Sequence, residues 1–358
     1  MLWDPAAHES LVEGRWDENR VRAAIETIAA DSEDAFDGGW PPHPDDAEPG
    51  DPGPWSGLYL GGAGVVDALW RLAERGFVEL RRDYRPYLER LAPDKPGPAL
   101  MLGETGILLV RQRLSPSDPV LERLRDLIAS NVSAEERELL WGSPGTMLVA
   151  REFGLEDLWR TSADHLLADR DRETGLWYQH LYGKVRTIVG AAHGFAGCVL
   201  ALGDFEGAAE TARRYAIVED ELANWPPYAD GGLVQNGTVR VQWCHGAPGM
   251  VTSLGDVLDE DLALAGGELT WHAGPLGKGA NLCHGTAGNG YAFLALFERT
   301  QDEVWLDRAR AFAMHAIAQV ECSRATHGMG RYSLWTGDLG TALYLAACLD
   351  GGGTLPLP

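Results

Sequence analysis

A chain of 358 residues, 45% hydrophobic and 23% charged, has the composition of a folded globular protein able to bury a large core, not of a disordered one. Its 30 Lys and Arg against 53 Asp and Glu leave a formal net charge of -23, a field that repels polyanions and argues against nucleic acid or anionic membrane surfaces as partners. No apolar run reaches the ~18 residues a membrane span needs, the acidic N-terminus lacks the regions of a secretory signal, and five scattered cysteines do not make a disulfide framework, so a cytoplasmic setting is expected.

In chain order, the first 36 residues contain a helix, and a Pro-, Gly- and Asp-rich loop follows from Asp37 to Trp55. Residues 1–50 are read as a helix and loop packed on a single domain of residues 51–358. Within that domain a Gly-x-x-Gly element recurs seven times, beginning at Gly61, Gly103, Gly142, Gly194, Gly246, Gly285 and Gly337, at spacings of 42, 39, 52, 52, 39 and 52 residues. Each is followed by an apolar stretch such as VVDALWRLA or TALYLAACL, apolar around most of a helix and hence expected to be buried. Amphipathic stretches such as DPVLERLRDLIAS lie between them and suit an outer layer. Two helices per period would build a solenoid or a ring, and helices too apolar to line a solvent groove favour the ring. The expected fold is all-α, a double-layered α/α toroid with all seven inner N-termini at one end.

The two residues before each Gly-x-x-Gly are Tyr59-Leu60, Met101-Leu102, Leu140-Trp141, Ala192-His193, Cys244-His245, Cys283-His284 and Trp335-Thr336. Metal-binding residue types occupy only the fourth to sixth of these pairs, and consecutive repeats of a ring bring them to one rim. Two cysteines and a histidine suit tetrahedral zinc with one position left open, the arrangement of a catalytic site. A closed four-ligand site using His245 or His193 is the competing reading of the same residues. Cys198, Cys322, Cys348 and His315 are read as packing residues.

These segments carry a family resemblance. WCHGAPG from Trp243, NLCHGTAGN from Asn281, AHGFAG from Ala192 and GLYLGGAG from Gly57 make the chain resemble the lanthionine synthetase C-like family over about Gly57 to Leu349. The resemblance implies an α/α toroid of seven inner and seven outer helices. It further implies one Zn2+ held by Cys244, Cys283 and His284, and addition of a cysteine thiol to dehydroalanine or dehydrobutyrine to form a thioether. His193 matches the family's acid/base histidine and Arg240 an active-site arginine suited to a developing enolate oxygen. Glu138 stands where relatives carry an aspartate or glutamate, and His245 where peptide cyclases often carry tyrosine. Lys278 matches a lysine that contacts the thiol cosubstrate in the glutathione-binding branch. The implied partners are a dehydrated precursor peptide or a protein bearing dehydroamino acids, glutathione as possible cosubstrate, and a separate dehydratase. Two other readings are weighed beside these: a zinc module that only binds glutathione or peptide, and a toroid glycosidase, against which no carboxylate pair recurs at matched repeat offsets.

Overall fold

A computed structural model describes all residues except 48, 49, 51, 52 and 182, so four positions of the expected 37–55 loop lie outside the described residues. Helices account for nearly all regular structure: α1 (Glu18–Asp34), α2 (Gly62–Glu74), α3 (Arg85–Leu88), α4 (Glu104–Leu114), α5 (Asp118–Asn131), α6 (Ser143–Glu152) and α7 (Glu156–Ala168). The second half continues with α8 (Phe195–Leu202), α9 (Ala208–Tyr215), α10 (Ala247–Leu254), α11 (Glu260–Ala273), α12 (Thr286–Thr300), α13 (Glu303–His327) and α14 (Asp338–Asp350). Even-numbered helices form the inner layer and odd-numbered ones the outer. The contrast follows the sequence: α14 is buried from Asp338 through Cys348, whereas α5 buries one stripe, Val120, Leu124, Leu127, Ile128 and Asn131.

Every inner helix starts in the same way. The first glycine of each Gly-x-x-Gly is the N-cap, from Gly61 of α2 to Gly337 of α14. The second lies one turn in and packs on the carbonyl six residues earlier; a Cβ on Gly288 would sit 1.8 Å from the oxygen of Leu282, and one on Gly249 1.9 Å from that of Trp243. A side chain there would collide with backbone.

The turns before these helices are joined by backbone hydrogen bonds around the rim. Tyr59 N–H donates to the Met101 carbonyl (3.0 Å), Met101 to Leu140 (3.2 Å), Leu139 to Ala192 (3.2 Å) and Ala192 to Cys244 (3.5 Å). Cys244 donates to Cys283 (3.2 Å), Cys283 to Trp335 (3.0 Å) and Trp335 to Tyr59 (3.2 Å), which closes the circle. Helix α14 packs beside both α12 and α2, and α1 covers it from outside, filling the seventh outer place. The expected all-α toroid with seven inner and seven outer helices is therefore what the chain forms.

The uneven repeat spacing also has a cause. Antiparallel hairpins β1–β2 (Tyr178–Leu181, Lys184–Thr187), β3–β4 (Ile217–Glu219, Leu222–Asn224) and β5–β6 (Val234–Gln235, Thr238–Val239) lengthen the repeats before α8 and α10. The repeat before α14 is lengthened by the 25 residues of α13. No helix among the described residues is long and apolar enough to cross a membrane.

Candidate active site at the rim of the toroid

Cys244 and Cys283 stand in consecutive rim turns, just before α10 and α12. The backbone bond between them fixes the turns side by side, and the two buried thiols hydrogen-bond each other. Cys283 donates and Cys244 accepts, which lowers Cys244 to about 7 against the opposing effect of burial and pushes Cys283 well up. Cys244 is therefore the more readily ionised of the two. Two side chains absent from the expected site support the pair. Gln242 donates from Nε2 to Sγ of Cys244 (2.9 Å) and accepts at Oε1 from Nζ of Lys278 (3.1 Å), linking Lys278 to the thiol. The Tyr59 hydroxyl hydrogen-bonds Cys283, and its ring lies parallel to Trp335 at 6.3 Å.

His284 follows Cys283 directly, and its backbone N–H is held by Oδ1 of Asn281 (3.0 Å). Burial lowers its pKa to about 4, assisted by the charges of Lys278, Arg331 and Arg240 and opposed by Asp46, so the imidazole is neutral and fit to ligate. By donor chemistry the set fits zinc: two thiols in contact, one of them readily ionised, and a neutral imidazole on the same turn. The three donor atoms do not all lie within 4.8 Å of one another.

His193 comes from the turn before α8. Its Nδ1 meets Oε2 of Glu138 at 2.7 Å. Glu138 is wholly buried at the N-terminus of α6, where its carboxylate also accepts from the backbone N–H groups of Leu140 (3.0 Å), Trp141 (2.5 Å) and Gly142 (3.2 Å). Four donors and the positive helix end thus converge on its two oxygens. Burial works against charge on His193, but the hydrogen bond and charge of Glu138, with the charge of Cys244, outweigh it and raise the pKa. Glu138 thus acts on the site through His193.

His245 lies with its ring centroid 6.4 Å from that of His193. Burial and the cations Arg240, His193 and Lys278 drive its pKa to about 3, and its buried Nδ1 has no hydrogen-bond partner. It is a neutral wall. Arg240 is half-buried and Lys278 exposed, and neither forms an ion pair with a described residue. Arg331 is neutralised by Asp46 through two hydrogen bonds. A chain of net charge -23 therefore keeps two unneutralised cations beside its thiol pair.

A helical toroid with paired cysteines at its rim matches a known protein class. The Lanthionine synthetase C-like protein family matches residues 56–355, and the chain belongs to that family. It is 29% identical over 323 residues to glutathione S-transferase LANCL1 of Danio rerio, covering 77% of this chain and 76% of that protein. Over 138 residues it is 34% identical to LanC-like protein GCL1 of Arabidopsis thaliana, covering 35% of this chain and 32% of that one. Among solved structures, nisin cyclase shares its fold with TM-score 0.55 at 16% identity, covering 94% of this chain and 100% of that chain.

Proposed function

We propose that the rim adds a thiol to the β-carbon of a dehydroalanine or dehydrobutyrine residue, forming a thioether, with glutathione as the thiol. The observation that carries this reading is the contact of Cys244 with Cys283 beside the His193–Glu138 pair. Cys244, Cys283 and His284 would hold one zinc ion, which when bound supplies the Lewis acidity that ionises a substrate thiol at neutral pH.

The chain's own residues account for the remainder. The thiol gives up its proton, sulfur bonds to the β-carbon as the carbon–carbon π bond opens, and the α-carbon takes a proton. His193, whose protonated form Glu138 favours through the contact at Nδ1, is the proton donor. Arg240, without a carboxylate partner among the described residues, suits the enolate oxygen that forms during attack. Lys278, tied to Cys244 through Gln242, suits a carboxylate of the incoming thiol compound. Substrate residues dehydrated elsewhere, by a separate dehydratase, complete the reaction.

Glutathione is favoured over a cysteine of the peptide itself by the two unneutralised cations, by neutral His245, and by the name of the Danio rerio relative. All five cysteines are free and Cys322 is exposed, which suits a reducing cytoplasm. The test is incubation of zinc-loaded protein with a dehydroalanine- and cysteine-containing peptide, with and without glutathione. A peptide gaining the mass of glutathione supports the proposal. Ring closure at unchanged mass assigns the thiol to the peptide, and no reaction with tight glutathione binding reduces the site to a binding module.

A further inference from the structure

The loop between α1 and α2 holds a cluster that thiol addition does not use. His43 and Asp45 lie in this loop, and His327 is the last residue of α13. Oδ2 of Asp45 is 3.6 Å from Nδ1 of His43 and 3.6 Å from Nε2 of His327; one donor atom from each residue lies within 4.8 Å of the other two. The two rings meet edge to face with centroids 4.5 Å apart.

These separations are too long for hydrogen bonds. They are close to the spacing set by a metal: bonds of ~2.0–2.1 Å in a tetrahedron place neighbouring donors roughly 3.4 Å apart. The tautomer supports the same conclusion. The backbone N–H of Asp45 points at Nδ1 of His43 (3.2 Å), so that nitrogen carries no proton, and exchanging this one contact for an ion would make it a ligand. His43 is 2% exposed and its Nε2 is buried without a hydrogen-bond partner.

We infer that His43, Asp45 and His327 form a second metal site, for a divalent transition ion of zinc or cobalt type. Two imidazoles and one carboxylate are its donors, and the negative end of α13 adds to its pull on a cation. A groove of about 390 Å³ reaches Asp45 and His327 and runs on to Lys278 and Arg331, so solvent has access to the cluster. The bound ion ties the loop to α13 beside the Asp46–Arg331 pair, whose charges act on His284.

The inference stands apart from the thiol site and is tested separately, by titrating metal-stripped full-length protein with Co2+ and then Zn2+. Two equivalents are expected, one with intense thiolate-to-cobalt absorption and one with only the weak bands of a nitrogen–oxygen site. His327→Ala, and Asp45→Asn at a half-exposed position that spares the fold, should each bind one equivalent fewer and keep the thiolate absorption. Wild-type protein taking up the thiolate-type equivalent alone, or both variants retaining two, would overturn the second site. A single equivalent without thiolate absorption, lost in Asp45→Asn, would support it while removing the zinc from the proposed function.

Discussion

The 2.7 Å contact between Glu138 and His193 divides their labour, and two substitutions read that division separately. His193→Asn removes the proton donor and is expected to slow thiol addition by about 10²–10⁴-fold with zinc content unchanged, measured by single-turnover rates and metal analysis. Glu138→Gln keeps the imidazole but removes the partner that raises its pKa. The protonated donor exists below that pKa, so its loss moves the alkaline limb of the pH–rate profile to lower pH; an unshifted limb would show that His193 does not titrate in the rate. Cys283→Ala, two rim turns away, is expected to abolish both zinc retention and addition, and normal metal content in that variant would remove Cys283 from the ligand set. Cys244 and Cys283 were legible as a pair because they share one offset in the repeat. Gln242 was not, because a glutamine two residues before a cysteine carries no periodic or chemical signal until the fold aims its amide at the sulfur. Tyr59 was visible as the first repeat's rim residue, yet its contact with Cys283 depends on ring closure that no local pattern states.

At the scale of the element, the glycine turn is the repeating part, and its second glycine leaves no room for a side chain. Gly288→Ala places a methyl group 1.8 Å from the Leu282 carbonyl, against backbone held in the rim's hydrogen-bonded circle. Relief requires the start of α12 to move, and overpacking of this kind costs about 1–3 kcal/mol. A fall of that size in urea-derived stability, with weakened zinc retention because Cys283 and His284 ride on the same turn, is the expected result. A variant as stable as the parent would mean the turn is softer than its contacts imply. The helices were readable from sequence because apolar runs and amphipathic stripes alternate and each run follows a glycine pair. The hairpins were not: β1–β2, β3–β4 and β5–β6 are two to four residues per strand, too short for an alternating pattern to emerge. Helix α3, a single turn at Arg85–Leu88, was equally invisible, since four residues carry no helical period.

At the scale of the molecule, the ring closes only if the last inner helix is covered. Helix α14 is apolar on every side, flanked by α12 and α2, and its outward side is taken by α1, nearly the whole chain length away in sequence. Val21, Ile25 and Ile28 of α1 are buried in this contact region, while Arg20–Glu321 and Asp31–Arg324 ion pairs tie α1 to α13 at the edge. The exposed pairs add little. Burial of three branched aliphatic side chains stabilises by roughly 5–9 kcal/mol, comparable with the about 5–15 kcal/mol by which folded domains are stable at all. Deleting residues 1–36 is therefore expected to unseat the whole toroid, with loss of one cooperative melting transition and appearance of dye-accessible apolar surface, and not to shave off an appendage. Zinc retention should fail with it, because the rim circle runs from Trp335 back to Tyr59 through the closure that α1 secures. A truncated chain that melts within a few degrees of the full-length protein and still holds its metal would show that the inner ring closes without its seventh outer helix.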